Sequence, residues 1–407
     1  MTSQTLSASR ERWLLLTLAG IQFTHILDFM IMMPLGPQFR EIFAITDAQF
    51  GLLVSAYTLA AGVSGLAAST YVDRFDRKRL LLTMYGLFAL ATLACGLAPT
   101  YEFLMGARLA AGLFGGVLSA LSQTIVADVV PFERRGRAMA VVMSSFSFST
   151  VAGVPLGLVL ANHLGWHATF VAIALLSGVL VVAAMLTMPP LHAHVAAARG
   201  RSAWSGIRQV LADANHLRAF AFSLAMMSTG FLVIPYITLY MRANAGLSVD
   251  DIPYIYLVGG AATLVSARWV GRLSDRRGKV AVFSVLALAL TVPLLGLTVM
   301  PAWPLPAVLV VSTLLFVVMS GRMIPGMALV ASAANPAVRG TFMALNSAVQ
   351  STAMGVAAFV GGQLISRGEG GVVQGYWQAG VVGCVCSVLS IWLARRLVLH
   401  GAAPHRI

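Results

Sequence analysis

Charged residues are scarce in this sequence, at 10% of its 407 residues, whereas hydrophobic residues reach 58%. A typical soluble domain carries about 25% charged residues. The shortage of charge follows from long apolar runs of about 18 residues or more, and each run is long enough to cross a hydrocarbon core of about 30 Å. The composition therefore excludes an ordinary soluble domain and indicates an integral membrane protein.

Twelve of these apolar runs follow one another along the chain. Backbone polar groups inside lipid must be paired within the protein, so a spanning segment is either a helix or part of a closed barrel. The runs are too long for barrel strands and lack their alternation of apolar and polar residues. We therefore predict twelve spanning helices, the first of them retained rather than cleaved as a signal, at residues 13–36, 50–70, 80–98, 101–126, 139–162, 167–188, 217–242, 252–272, 280–300, 306–330, 341–366 and 373–394.

Cysteine is also rare, with three in the whole chain, all inside predicted spans. Neither Cys95 nor the pair Cys384 and Cys386 has metal-ligand spacing with histidine, and no disulfide framework is indicated. The eight histidines are scattered, and no nucleophile, base and acid combine into a catalytic triad. We therefore predict a protein that is not an enzyme and that holds no metal or organic cofactor.

The formal net charge of +13 raises the question of a nucleic-acid partner. If both termini are cytoplasmic, all 27 Lys and Arg residues fall at the cytoplasmic side except Arg40, Arg242 and Arg367 in outer segments and Arg108 and Arg322 inside spans. This is the positive-inside distribution of membrane proteins, and the basic charge would face anionic lipid. We predict a multi-pass inner-membrane protein with cytoplasmic termini, in contact with the bilayer and not with nucleic acid.

The longest loop between spans divides the twelve runs into six and six. The halves contain similar loops at matching places: VDRFDRKR (72–79) resembles LSDRRGK (273–279), and PFERRGRAMA (131–140) resembles NPAVRGTFMAL (335–345). Repeated halves with a binding site between them are typical of secondary transporters. We predict an N-terminal six-helix bundle at 1–190, a cytoplasmic linker at 191–216 and a C-terminal six-helix bundle at 217–407.

The first pair of loops resembles the signature loop of the major facilitator superfamily, Gly-x-x-x-Asp-Arg-x-Gly-Arg-Lys/Arg. The loop after span 8 matches it at Gly271, Asp275, Arg276, Gly278 and Lys279. The loop after span 2 matches it at Asp73, Arg74, Arg77 and Lys78, while Ser69 and Asp76 replace the two glycines. The resemblance covers essentially the whole chain. It implies an all-α membrane protein with twelve transmembrane helices in two pseudo-symmetric six-helix bundles, and we expect it to be a monomer.

The same resemblance implies that the loop charges act as a conformational latch. The predicted latch residues are Asp73, Arg74, Arg77, Lys78, Asp128, Asp275 and Arg276, with Asp128 as a partner for one of the bases. Short ion pairs at a wet interface contribute about 1 kcal/mol or less each, but their sum can bias two states. The alternative is that these charges only set the topology.

Two further motifs indicate which branch of this superfamily the sequence resembles. LMGARLAAGLFGG (104–116) resembles the helix-4 motif with a buried arginine, here Arg108. STVAGVPLGLVLANHLGWHATF (149–170) resembles the helix-5 antiporter motif at Gly153, Pro155 and Gly157, with Val154 in place of the usual glycine before the proline. The resemblance implies a proton-coupled exporter of the drug:proton antiporter or sugar-efflux-like branch. The alternative is that the small residues only allow close helix packing.

Asp28 is the one acid that the sequence places deep inside a predicted span, in FTHILDFMIMMPLGP (23–37). An ionisable residue in such a place is functional by default, and a partner is expected. Arg108 is the candidate partner, because both residues are predicted to lie roughly 10–12 Å below the outer surface. His25 shares a helix face with Asp28 and could pass its proton or donate a hydrogen bond to it. We predict proton coupling by Asp28, Arg108 and His25, with a structural ion pair as the alternative.

Polar, aromatic and methionine side chains inside the spans are the candidates for substrate binding. The predicted set is Gln22, Met32, Tyr57, Gln123, Tyr236, Arg322, Asn346 and Gln350. Arg322 could bind an anionic substrate group, cap helix carbonyls or reach Asp28 in one conformation. Met-rich and aromatic surfaces adapt to varied apolar ligands. One acid and two arginines in the spans favour neutral or weakly anionic amphiphiles over strongly cationic ones.

The function predicted from these residues is secondary transport: export of small amphipathic compounds by alternating access, with protons as the coupling ion. The alternative within transport is a proton-coupled carrier of a specific metabolite such as a sugar or carboxylate. A membrane sensor or scaffold would need an additional soluble domain, and a membrane enzyme would need clustered catalytic groups. We therefore expect a small-molecule substrate that passes through the protein unchanged.

Overall fold

The computed structural model describes residues 8–71, 75–130, 132–189, 203–335 and 338–400. These residues are almost entirely helical, and short helices join the long ones. The helices are α1 Ala8–Ile31, α2 Gly36–Phe43, α3 Asp47–Tyr71, α4 Arg77–Gly96, α5 Tyr101–Val129, α6 Phe132–Phe148, α7 Val154–Leu164, α8 Trp166–Thr187, α9 Ala203–Ala212, α10 Ala214–Phe231, α11 Ile237–Ala243, α12 Ile252–Arg277, α13 Lys279–Ala289, α14 Thr291–Thr298, α15 Leu305–Ala333, α16 Arg339–Leu364 and α17 Tyr376–Ala394.

Each predicted span has a counterpart among these helices or their uninterrupted runs. In the described part of the chain, 11 helical runs are long and apolar enough to cross a membrane. The remaining prediction, at 252–272, corresponds to α12, which has 26 residues and is long enough but less apolar. Arg268 and Arg272 in its second half account for part of that difference. The predicted all-helical membrane fold is confirmed.

Proline sets several helix ends and breaks, because it has no backbone N–H and clashes with the preceding turn. Helix α1 ends at Ile31, three residues before Pro34, whereas the predicted span continued to residue 36. The predicted fifth span is α6, a π-helical turn at Ser149–Gly153, and then α7, whose second residue is Pro155. The seventh is α10 and α11 with a 3-10 turn at Ile234–Tyr236 between them.

One small β-hairpin follows α16 and was not expected from the sequence. Strand β1, Ser366–Arg367, pairs antiparallel with β2, Val373–Gln374. Its loop contains Gly370 and Gly371, both at positive φ, which glycine adopts without steric cost. Two-residue strands give little periodicity, so a sequence pattern does not detect them.

The chain divides into two compact units. Unit 1 contains Met1–Leu35 and Ala56–Arg201, and unit 2 contains Gly36–Ser55 and Ser202–Ile407. The predicted bundles at 1–190 and 217–407, with a linker at 191–216, stay a prediction. In unit 1, α4 packs against α5 and α8, and α1 packs against α6. In unit 2, α10 packs against α16 and α17, and α12 packs against α15.

Candidate functional site

Asp28 and Arg108 form a buried ion pair in unit 1. Arg108 Nη1 donates to Asp28 Oδ2 at 2.7 Å, and both side chains are 0% exposed. The same Nη1 lies 3.4 Å from the backbone oxygen of Asp28, and Thr92 Oγ1 donates to Asp28 Oδ1 at 3.2 Å. A buried charge is tolerated when it is paired and hydrogen-bonded. Helices α1, α4 and α5 therefore meet at one carboxylate.

Two aromatic rings complete the surroundings of this ion pair. The Arg108 guanidinium lies over the Tyr57 ring, 4.4 Å from its centroid, in a cation–π arrangement. Phe29 stacks on the Tyr57 ring, with 5.5 Å between the two ring centroids. Arg108 Nε and Nη2 and the Tyr57 hydroxyl have no hydrogen-bond partner within the described residues. The guanidinium thus contacts the Asp28 carboxylate and the Tyr57 ring, and its Nε and Nη2 donors are unused among the described residues.

His25 lies beside the ion pair but does not hydrogen-bond to Asp28. Its ring is 6.1 Å from Tyr57 and 5.8 Å from Phe88, between centroids, and neither ring nitrogen has a partner in the described part of the chain. One turn earlier, Gln22 Oε1 accepts from Ser119 Oγ at 3.0 Å. Gln22 Nε2 is buried and has no partner among the described residues. Buried polar atoms without partners are rare in proteins, and they mark places where water or a ligand is expected.

Glycines of α5 bring α3 close enough to build this site. A Cβ at Gly112 would collide with the backbone carbonyl of Tyr57, and one at Gly116 would lie 2.7 Å from Ala61 Cα. A Cβ at Gly115 would lie 2.7 Å from the Tyr57 hydroxyl oxygen and 2.9 Å from His25 Cδ2. Gly112 and Gly116 are four residues apart, the spacing that lets two membrane helices approach closely. That spacing in the sequence is the signal that would have identified this contact.

The predicted antiporter motif packs against α1, the helix that carries Asp28. A Cβ at Gly153 would be 3.0 Å from Leu27 Cδ1, and one at Gly157 would be 2.8 Å from Ile31 Cδ1. Pro155 is buried between them, two residues after the π-helical turn ends at Gly153. Turns of this type occur frequently at functional sites. The motif therefore packs closely against Leu27 and Ile31 of α1, and its two alternative roles stay predictions.

Arg322 is the buried cation of unit 2. Its side chain is 1% exposed, and Nη2 donates to the Met226 backbone oxygen at 2.8 Å. Its Nε and Nη1 have no hydrogen-bond partner, and no carboxylate forms an ion pair with it, among the residues the structure describes. Cys386 is near enough to interact with it electrostatically. Arg322 thus caps a helix carbonyl, one of its predicted roles, and keeps donor capacity for an anionic group.

The other predicted substrate residues have different surroundings. Asn346 Oδ1 accepts from Ser223 Oγ at 2.6 Å, and Gln350 Nε2 lies 3.4 Å from Met327 Sδ. The buried Tyr236 hydroxyl donates to the Ala358 backbone oxygen, so it contributes to helix packing. Met32 is buried at the end of α1, and Gln123 is exposed on α5. The structure groups Gln22, His25, Asp28, Tyr57 and Arg108 within unit 1, and Tyr236, Arg322, Asn346 and Gln350 belong to unit 2.

Two predicted latch residues of the first loop, Arg77 and Lys78, contact helix carbonyls. Lys78 Nζ donates to the backbone oxygens of Met185, at 2.9 Å, and Met188, at 2.6 Å, at the end of α8. Arg77 Nη1 lies 3.4 Å from the Thr124 backbone oxygen. A cation at a helix C-terminus is favourable because of the helix dipole. Asp73, Arg74 and the Asp128 side chain lie outside the described part.

The second predicted latch loop is more exposed. Asp275 and Arg276 lie in the last turn of α12 with exposed side chains. Neither forms an ion pair with another described residue. The structure therefore gives the two loops different surroundings despite their similar sequences. Lys279, the last matching position, donates to Ser332 Oγ at 3.2 Å.

No group of three or more His, Cys, Asp or Glu side chains that could hold a metal ion occurs in the described residues.

Thr92 is the one contact of the Asp28–Arg108 pair that the sequence analysis did not predict. A threonine inside a span commonly bonds to its own helix backbone, so it carries no separate signal. Tyr57 was predicted as a substrate contact, and the structure adds its position against Arg108.

Comparisons with known proteins agree with this architecture. A family model described as Major Facilitator Superfamily matches residues 18–358. The chain is 27% identical over 379 residues to the Chloramphenicol resistance protein of Streptomyces lividans, covering 91% of this chain and 93% of that relative. It is 26% identical over 268 residues to the uncharacterized MFS-type transporter YbcL of Bacillus subtilis (strain 168), covering 65% of this chain and 67% of the relative.

Two solved structures share the fold. A bacterial homolog of the human lysosomal transporter Spinster, in an inward-facing and occupied conformation, superposes with a TM-score of 0.77 at 15% identity, over 98% of this chain and 100% of that one. A D-xylose–proton symporter gives a TM-score of 0.74 at 18% identity, over 94% of this chain and 97% of that one. At these identities the similarity concerns the fold alone.

Proposed function

The chain belongs to the Major Facilitator Superfamily and is a multi-pass membrane transporter rather than an enzyme, and from this premise we propose that it exports small amphipathic compounds in exchange for protons. The observation that carries the proposal is the fully buried Asp28–Arg108 pair in a membrane-spanning helix bundle. Ionisable residues at such depth are costly and usually serve ion or proton movement. The antiporter-like segment packed around α1 supports exchange as the mode.

Protonation of Asp28 would remove the negative charge that holds Arg108. A proton taken up from the outer side forms a bond to a carboxylate oxygen, and the ion pair with Arg108 Nη1 becomes a weaker hydrogen bond. Arg108 then has free donors for an acceptor group on the substrate. Release of the proton to the cytoplasm restores the ion pair. His25, which lies one turn from Asp28 with both ring nitrogens unpartnered among the described residues, would carry the proton to and from this carboxylate.

A neutral amphipathic substrate fits the charge of the site. Asp28 and Arg108 cancel each other, and the surrounding Tyr57, Phe29 and Phe88 rings offer apolar faces. The unpartnered atoms of Gln22, Tyr57 and Arg108 include hydrogen-bond donors, which suit oxygen acceptors. Similarity along most of the chain to a chloramphenicol resistance protein supports a drug as the exported compound. Met32, Gln123, Tyr236, Asn346 and Gln350 remain candidate contacts.

A second candidate function is transport of a carboxylate-bearing metabolite. It is favoured by Arg322, a buried arginine with no ion-pair partner in the described residues and two unused donor nitrogens. A carboxylate would accept from the guanidinium in a bidentate arrangement. Under this alternative, uptake of a labelled carboxylate would fall in Arg322→Gln while Asp28-dependent coupling remained.

We further propose a monomer in the inner membrane with both termini in the cytoplasm, and a latch formed by the loop after α3. Lys78 and Arg77 support the latch because they bind backbone oxygens at helix ends, where a small rearrangement can release them. Asp73, Arg74, Asp128, Asp275 and Arg276 stay predicted members of that latch.

The proposal is tested by transport in inside-out vesicles whose interior is made acidic. Wild-type protein should take up a dye or chloramphenicol as protons leave, and Asp28→Asn should abolish the gradient-driven part because the amide cannot ionise. Substrate binding should be retained in Asp28→Asn. Glu102→Gln, an exposed acid in the first turn of α5, is the matched control and should transport normally. Undiminished gradient-driven uptake by Asp28→Asn would remove Asp28 from the coupling mechanism and leave His25 to be examined.

A further inference from the structure

Arg322 is a buried cation in the interior of unit 2. It lies within α15, its side chain is 1% exposed, and Nη2 donates to the Met226 backbone oxygen at 2.8 Å. Its Nε and Nη1 are buried and have no hydrogen-bond partner within the described ranges of the chain. A guanidinium keeps its charge in proteins. The one group that accepts from it there is a backbone oxygen, which carries only a partial negative charge.

The acids of unit 2 are placed away from this cation. All of them occupy loops, the short helix α2 or helix ends. They are Glu41, Asp47, Asp213, Asp250, Asp251, Asp275 and Glu369. Asp47 binds Arg367 instead, and no described carboxylate pairs with Arg322. A buried charge without a counter-charge is costly, so a counter-ion from outside the chain would stabilise this unit.

The surroundings of Arg322 are apolar. Met226 belongs to the buried core of unit 2 together with Phe222 and Phe283, whose ring centroids are 5.0 Å apart. One turn further along α15, a Cβ at Gly326 would lie 2.5 Å from Met226 Sδ, so the Met226 side chain packs against α15 beside the arginine. Electrostatic attraction is stronger in such surroundings than in water. An anion beside this guanidinium would therefore be attracted more strongly than at the protein surface.

Cys386 of α17 is a second polar side chain close to this place. It is partly buried and interacts electrostatically with Arg322. A thiol is a weak hydrogen-bond donor. The neighbouring Ser387 hydroxyl already donates to the Ala287 backbone oxygen at 2.8 Å. Two side chains from different helices thus offer one full positive charge and one weak donor.

We propose that unit 2 binds one small monovalent inorganic anion, of the size of chloride, beside the Arg322 guanidinium. One guanidinium offsets one negative charge, so a divalent anion such as sulfate would bring a second, unpaired charge into the apolar interior. A spherical anion needs few donors, whereas each oxygen of a larger polar anion would need a partner of its own. The anion stays in unit 2 as a structural ion, and this inference does not depend on the proposed export.

Thermal unfolding of the full-length protein in detergent tests the site. The protein is first dialysed into sodium gluconate, whose bulky anion does not fit a buried place, and chloride then replaces gluconate at constant ionic strength. The Tm of wild type should rise by about 2–5 °C as chloride saturates the site, because the ion binds only the folded state. Bromide should act in the same way, and sulfate should have no effect.

Arg322→Met should remove the response to chloride. The variant should still fold, since replacement of a buried charge by an apolar side chain of similar volume is often neutral or stabilising. The matched control is Arg268→Met, at an exposed arginine of α12 in the same unit, which should keep the full shift in Tm. An equal shift in wild type and Arg322→Met would show that chloride acts elsewhere and would overturn the inference.

A carboxylate built into the chain gives the complementary test. Cys386→Asp places one negative charge at a position that interacts electrostatically with Arg322. In gluconate it should raise the Tm toward the value of wild type in chloride, and chloride should add nothing further. Cys386→Asn has the same shape without the charge and should respond to chloride as wild type does. A chloride shift as large in Cys386→Asp as in Cys386→Asn would contradict an anion beside Arg322.

The remaining outcomes are equally decisive. A wild-type Tm that does not respond to chloride after dialysis would overturn the inference. A response to acetate that chloride and bromide do not reproduce would also overturn it and would favour the carboxylate of the second candidate function. If wild type moves no probe under a proton gradient, the proposed export fails, while the unfolding experiment, which needs no transport, still tests the anion site.

Discussion

At the scale of single residues, the Asp28–Arg108 pair places a carboxylate and a guanidinium in the interior of unit 1. Each group is buried completely, and each depends on the other. The Tyr57 ring and the Thr92 hydroxyl add weaker contacts from α3 and α4. We therefore propose two functions for the pair that experiments can separate: a structural one, measured by stability, and a coupling one, measured by transport.

The structural function predicts that the effects of substituting Asp28 and Arg108 on stability do not add. Arg108→Met should lower stability by about 3–5 kcal/mol, because it leaves a buried carboxylate without a partner. Asp28→Asn combined with Arg108→Met should recover a large part of that loss, and thermal unfolding in detergent measures both. The control is Arg134→Met, whose exposed pair with Glu11 should contribute about 1 kcal/mol or less. Simple addition of the two single effects would contradict a direct interaction.

At the scale of helices, close approach of α3 and α5 positions Tyr57 and His25 beside the ion pair. The approach depends on Gly112 and Gly116, where a side chain would meet the backbone of α3. The π-helical turn before Pro155 plays a comparable part for α7 against α1. Helix geometry at these two contacts, more than any single polar residue, decides where the donors of the site lie.

The helix contact predicts position-specific effects of added methyl groups. Gly112→Ala should lower stability by about 1–3 kcal/mol, because the new Cβ displaces the backbone at Tyr57. Transport should fall as well, since Tyr57 shifts relative to Arg108. Gly106→Ala on the same helix is the control, because no atom lies within 4 Å of its Cβ; it should be neutral or slightly stabilising. Equal effects at the two positions would exclude the contact as the cause.

At the scale of the whole molecule, two compact units share helix α3, and a basic surface is expected on one side of the membrane. The positive-inside distribution predicts which side of the membrane each loop occupies. With cytoplasmic termini, the ion cluster of Asp47 with Arg40 and Arg367 would face the outside.

The orientation predicts the accessibility of the chain ends. A protease-cleavable tag at either terminus should be cut in inside-out vesicles and protected in right-side-out vesicles, since most Lys and Arg residues would otherwise lie on the outer side. A tag placed after Asn244, in the loop before α12, should show the reverse pattern. Cleavage of the terminal tags only in right-side-out vesicles would invert the topology and move the Asp47 cluster to the cytoplasmic side.

The sequence by itself determined the helices and the candidates for charge coupling. Span length and apolarity are local properties, so the bounds of α3, α5 and α8 follow from the residues within them. Asp28 and Arg108 were conspicuous because a charge in an apolar run is costly wherever the run folds. The end of α1 at Ile31 was less well predicted, because the apolar run continues past the point where Pro34 stops the helix.

Only the tertiary structure decided which of these residues meet. Thr92 and Tyr57 lie far from Asp28 in sequence, and hydrogen-bonding groups in separate helices give no pattern of their own. The same holds for Arg367 and Asp47, which are 320 positions apart and are joined by two hydrogen bonds. Hydrophobic length acts within one segment, whereas ion pairs and glycine contacts depend on how segments pack. For that reason the contact between Asp47 and Arg367 could be recognised only in the folded chain.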